Sequence, residues 1–154
     1  VLVALQIALG GWVSSNYAAL ACSDFPFCHG QLFPMTAFKT AFNFFMPIGA
    51  NFQGGVLTAA ARETIQSAHR LGALILSLYL LWLTLWVIFS SHHKRLIRIA
   101  VIFILLMIAQ VCLGVINVLL LLPLPIAVLH NFTAALVLLS LVSLNYALYA
   151  KSTA

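Results

Sequence analysis

The sequence predicts an all-α integral membrane protein: a single membrane domain over residues 1–154, built as a four-helix bundle of two similar helical hairpins with a long outer loop after the first span. Three observations predict it. The chain is 64% hydrophobic and 6% charged, with a mean hydropathy of +1.15. Soluble domains average about 25% charged residues, so seven basic and two acidic side chains cannot cover a globular surface, and lipid must be the solvent. Apolar runs near the ~20 residues that cross a bilayer recur along the chain. The first and third of them share Gln-x-x-Leu-Gly, "QIALG" at Gln6 and "QVCLG" at Gln110, and each is followed by a histidine-led helix, "HRLGALILSL" and "HNFTAALVLLSL".

The first span occupies about 1–13 and reads as part of a helix, since neither methionine nor a charged lead precedes it and no signal-peptide pattern is present. The second is expected at about 65–89, the third at 96–121 and the fourth at 125–149. Pro123 and Pro125 separate the last two, because proline removes a helix donor and clashes with the preceding turn. The basic stretch "SHHKRLIR", with Lys94, Arg95 and Arg98, places loop 91–98 in the cytoplasm by the positive-inside rule, and Lys151 returns the C-terminus to that side. Loop 14–64 and the turn at 122–125 then face outward. The net charge of +5 is thus read as membrane topology, and no basic-aromatic groove points to nucleic acid.

This topology puts His69 and His130 at equal depth, one to two turns below the outer surface at ~1.5 Å per residue. Two neutral imidazoles on facing helices of a bundle suit axial ligation of haem iron. Zinc would want three or four ligands, and no carboxylate and no cysteine pair accompanies the histidines within the membrane. The plainer alternative is that each histidine bonds a backbone carbonyl or a neighbouring helix. Ionisable groups inside spans are costly and mark function, however: ~2.5–3.5 kcal/mol for a mid-membrane arginine on insertion scales. Arg70 has two open readings, a hold on a haem propionate or a side chain reaching out to water. Gln6, Gln110, Asn117 and Asn131 are read as interhelical hydrogen-bond partners, and His29, His92 and His93 as solvated.

In the outer loop, "ACSDFPFCHG" holds Cys22 and Cys28, a pair expected to oxidise outside the cytoplasm. Closing so small a ring contributes roughly 2.4 kcal/mol in the chain-entropy model. A structural staple is one reading and reversible thiol–disulfide chemistry the other. Cys112 is expected to pack as a small apolar residue. The aromatic-rich "AFKTAFNFFMP" at 37–47 is expected to lie along the membrane interface.

Three segments, "QIALGGWVSSNYAALACSDFPFCHGQ", "NFQGGVLTAAARETIQSAHRLGAL" and "LHNFTAALVLLSLV", resemble the C-terminal half of the haem A synthases, membrane enzymes that oxidise haem O to haem A for cytochrome oxidase. The resemblance covers essentially the whole chain. It implies two similar four-helix halves in the full-length family, with His69 and His130 ligating a resident haem b in this one. It implies stepwise oxidation of a haem O methyl group to a formyl group in a bacterial inner membrane. Haem O is then the substrate and the N-terminal half a partner within the same enzyme. A haem O synthase and a second copy of the chain are further candidate partners. The family's substrate-side half carries a glutamate three residues before its first histidine; here that position is Gln66. Glu63 lies six before, and is read as a first-turn acid favoured by the helix dipole that pairs with Arg62 or Arg70.

Rival readings remain from other classes. A thiol–quinone redox protein would use Cys22 and Cys28 and leave the histidines idle. A haem b electron-transfer subunit would bind the same cofactor without synthase activity. A purely structural bundle would bind no chromophore.

Overall fold

A computed structural model gives the fold and describes residues 1–45 and 56–152. Helices account for its regular structure: α1 (Leu2–Ser15), α2 (Phe38–Ala41), α3 (Ala59–Ser90), α4 (Lys94–Leu119) and α5 (Leu124–Ser152). Among the described residues no strand forms beyond one isolated bridge, Cys28 to Gln31. Among the described residues three helices are long and apolar enough to cross a membrane: α3 with 32 residues, α4 with 26, and α5 with 26 over Leu124–Tyr149. The expected span at 1–13 is a shorter apolar helix of 14 residues.

The boundaries differ from expectation for local reasons. α3 begins at Ala59, six residues ahead of the hydropathy boundary, because the Thr58 side chain accepts from the Ala61 amide at 3.3 Å and "AAA" is a strong helix former. Glu63 therefore lies beyond the first turn, which contains no acidic residue. α4 stops at Leu119: Leu121 and Leu122 take left-handed φ of 56° and 63°, and the Leu122 amide reaches back to the Asn117 carbonyl at 2.7 Å, a closure that satisfies carbonyls the helix end leaves open. Pro123 then directs the chain into α5.

Helix contacts run in sequence: α1 on α3, α3 on α4, α4 on α5, and α5 back on α1; α2 lies against α3. Buried side chains form three layers. An outer layer joins Val13, Ala18, Ala41, Leu57, Ala61 and Ile65. A middle one joins Val3, Leu80, Phe103, Met107 and Val137 from all four long elements, and an inner one Val87, Leu96, Ala100 and Leu144. Between outer and middle layers the helices carry polar residues. The apolar residues that face outward, Trp82, Trp86, Phe89 and Leu139 among them, are what a lipid-solvated protein exposes.

Of the predicted loop 14–64, the part from Asn16 to Ala37 is turns and the disulfide ring, and Ala59 onward belongs to α3. The aromatic segment at 37–47 contributes α2. Its last residues, Met46 and Pro47, and all of "NFQGG" at 51–55, lie outside the described residues.

Candidate functional site

Each histidine meets the same two residue types from the preceding apolar helix. Gln6 and Gly10 sit one turn apart on one face of α1. The Gln6 amide nitrogen lies 3.0 Å from His69 Nδ1 and donates to the His69 carbonyl at 2.9 Å. A Cβ built on Gly10 would stand 3.1 Å from His69 Cε1. On α4, Gln110 Nε2 lies 3.2 Å from His130 Nε2, and a Cβ on Gly114 would stand 3.1 Å from His130 Cε1. The glutamine fixes the ring and the glycine makes the space it occupies. The glutamines were expected to join helices; they do so through the histidines. Gly72 adds a third close approach, since a Cβ there would meet Gln6 Oε1 at 2.5 Å.

The two rings are held by different nitrogens. His69 Nε2 has no hydrogen-bond partner among the described residues. His130 Nδ1 is buried without one, as is Gln110 Oε1. Unpaired buried groups cost about 1–3 kcal/mol each, so the arrangement carries polar capacity that the protein does not use. No Cα of α3 comes within 8 Å of one in α5, although Leu80 and Val137 share the middle core layer. An amide can serve a bound imidazole from either end: nitrogen donates to an unprotonated ring nitrogen, and after a half-turn oxygen accepts from a protonated one. The residues therefore fit a group that takes one nitrogen from each ring. Among the described residues no cluster of three or more His, Cys, Asp or Glu could hold a bare metal ion.

Above the histidines stands the ring closed by a disulfide between Cys22 and Cys28, whose Cα atoms are 4.7 Å apart. A turn follows it: His29 and Gly30 have φ of 52° and 81°, and Cys28 and Gln31 exchange both backbone bonds at 2.7 and 3.0 Å. Glycine suits the second of these positions because it carries no Cβ penalty there. The Asp24 carboxylate accepts from the His29 amide at 3.0 Å and the Gly30 amide at 3.5 Å. The His29 bond, reinforced by that of Gly30, holds its pKa below the ordinary 3.8.

Arg70 donates through Nη1 to the carbonyls of Asp24 (2.9 Å) and Phe27 (3.0 Å), and through Nη2 to that of Cys22 (2.6 Å). Neither a free propionate-binding fork nor a side chain extended to water describes it. The Glu63 carboxylate lies 3.7 Å from His29 Nε2, and the Arg70 guanidinium is taken up by backbone carbonyls instead. His29, read as solvated, also bonds the Ala21 carbonyl at 3.0 Å. His92 and His93 are exposed, and so is Asn131, which makes no interhelical bond. Asn117 is buried with Oδ1 unpartnered, as is Gln66 with Oε1. Cys112 is exposed on the outer face of α4 rather than packed inside.

Sequence reasoning singled out both histidines and missed the glycines that face them or their glutamine, Gly10, Gly72 and Gly114, although Gln-x-x-Leu-Gly contains two of them.

The profile of the COX15-CtaA family, cytochrome oxidase assembly protein, matches residues 1–142. A protein of Shewanella oneidensis named Heme A synthase is 47% identical over 148 residues, which is 96% of this chain and 44% of that protein. Proteins of the same name from Wolbachia pipientis wMel and a Chelativorans species are 35% and 30% identical, over 85% and 90% of this chain and 32% and 35% of theirs. The chain thus spans less than half the length of these curated relatives. No solved structure matches. With the family profile running through both Gln-x-x-Leu-Gly helices, the disulfide ring and both histidines, the chain belongs to the COX15-CtaA family.

Proposed function

We propose that this chain is the haem b-binding part of a haem A synthase, with His69 and His130 as the axial ligands, and that it supports oxidation of a haem O methyl group to the formyl group of haem A. One observation carries the ligand assignment: two histidines, each set by a glutamine and faced by a glycine, with an unpaired imidazole nitrogen on each ring, on helices whose backbones stay apart. The order of helix contacts supports a four-helix bundle in which α3 and α5 are diagonal. Two imidazoles make a poor site for a bare ion but complete the coordination of an iron that brings four porphyrin nitrogens.

Haem b, when bound, supplies a one-electron couple. The chain's residues hold and orient it: Gln6 and Gln110 set the direction of the imidazoles, and the apolar middle layer of Val3, Leu80, Phe103, Met107 and Val137 keeps water from below. Haem O and the N-terminal part of the enzyme are the proposed partners. The chain lies in the bacterial inner membrane, with the disulfide ring outside and loop 91–98 and the C-terminus in the cytoplasm. The thiol–quinone reading is disfavoured because Cys22 is 0% and Cys28 3% exposed, and thiol exchange needs access to a sulfur.

The test is an oxidised-minus-reduced absorption spectrum of the purified chain beside His69→Ala and His130→Ala. A six-coordinate low-spin haem b signature lost in both variants is expected. A colourless wild-type chain, expressed with haem supplied, rejects the assignment.

A further inference from the structure

Arg70 follows His69 directly, yet the hydrogen bonds of its guanidinium run to the backbone of the disulfide ring: to Asp24 and Phe27 through Nη1 at 2.9 and 3.0 Å, and to Cys22 through Nη2 at 2.6 Å. The charge also lies 5.8 Å from the centre of the Phe25 ring, within cation–π reach. Nε is buried without a partner, so an outside carboxylate cannot take the side-on edge of the guanidinium without displacing the loop. The ring touches α3 at two further points. Cys22 Sγ lies 4.0 Å from Ser67 Oγ, both residues being almost wholly buried, and His29 lies 3.7 Å from Glu63. Positions 63, 67 and 70 form one stripe of a helix. His69 projects from the adjoining face toward Gln6 and Gly10.

We propose that Arg70 is a positioning residue: it clamps the Cys22–Cys28 ring to the outer part of α3, and so couples the closed ring to the orientation of the His69 imidazole. The clamp rests on a match of shape and charge. The ring turns several carbonyls to one side, and only a planar fork of donors reaches them together. Lysine keeps the charge and loses the fork. The functional meaning of the coupling rests on the reading of His69 as a haem ligand; the clamp itself does not.

The experiment follows ring opening and the imidazole separately, in the detergent-solubilised chain without haem. Dithiothreitol supplies two electrons and two protons to the Cys22–Cys28 bond, leaving two thiols and its own cyclic disulfide. After quenching in denaturant, a polyethylene-glycol maleimide counts thiols: Cys112 gives a constant label and ring opening adds two. Arg70→Gln and Arg70→Lys are each expected to reduce at least about tenfold faster than wild type, since charge-assisted bonds to the ring are lost. In histidine-selective nitrogen NMR, the His69 ring resonance, assigned by its loss in His69→Ala, is expected to move in both variants and in the reduced wild type, while that of His130 stays. The reduced wild type needs no mutation, so a variant that fails to fold does not remove the test. Reduction within about twofold of wild type in both variants overturns the clamp. A His69 resonance unmoved by ring opening overturns the coupling. Haem titration of the same samples is a separate arm: a wild type that binds no haem removes the ligand reading and leaves both ring measurements standing.

Discussion

At Gly10 and Gly114 a single methyl group separates a usable site from a crowded one. A Cβ at either would stand 3.1 Å from the Cε1 of the facing imidazole, whereas Gly11, next along the chain, has nothing within 4 Å. Overpacking of this kind costs about 1–3 kcal/mol. Gly10→Ala and Gly114→Ala are each expected to weaken haem retention by about tenfold or more in spectroscopic titration, with Gly11→Ala as the matched control. Equal losses in all three would mean that space beside the imidazole does not set the effect, since alanine is the better helix former at every one of these positions. Asp24 offers a second residue-scale test. Its carboxyl is held below the ordinary 3.8 by the His29 amide first, so its contribution is present above that value and lost as pH falls through the lowered one. Asp24→Asn is expected to speed reduction of the ring by a phosphine reductant at neutral pH, and the two proteins should converge well below pH 3.8. A constant ratio across that range would remove the carboxylate from the ring's support.

For the elements, hydropathy located what hydropathy controls. The cores of α3, α4 and α5 were legible because lipid selects their composition. The start of α3 was not, because "TAAARETIQ" is too polar to count as membrane; there a cap and alanine propensity decide, and both operate in water. Thr58→Ala is expected to cost the helix about 1 kcal/mol, seen as faster amide exchange over 61–64 with the centre of α3 unchanged. Unchanged exchange at 61–64 would show that packing on Ala41 and Leu57 holds this end instead. The repeat Gln-x-x-Leu-Gly was legible as a repeat, but its purpose was not: which face of α1 meets which face of α3 depends on packing across 63 residues. The partners of Arg70, Glu63 and His29 were hidden for the same reason, since the path of the loop between Ala21 and Gln31 decides them. Asn131 and Cys112 were assigned inward only because they stand in spans, and a span has an outer face too.

In the whole molecule, the placement of charge makes sense only with respect to the membrane. Lys94, Arg95 and Arg98 occupy the beginning of α4, which has no acidic residue in its first turn. The helix dipole is positive at that end and disfavours cations there, so helix stability does not explain them. The proposed orientation does: basic residues beside a span are retained in the cytoplasm, and that preference outweighs a dipole penalty of a few tenths of a kcal/mol at an exposed helix end. The orientation proposed above would put the ring of Cys22 and Cys28 in an oxidising compartment, where the bond between them persists, and the histidine layer nearer the outer surface than the inner one. These consequences stand together, so one measurement bears on all of them. In sealed cells, a membrane-impermeant maleimide is expected to label Leu32→Cys, half-exposed beyond the ring, and to spare His92→Cys until the membrane is opened. The reverse pattern would place the disulfide ring in the reducing cytoplasm, and neither the closed ring nor an outer-side haem site would survive it.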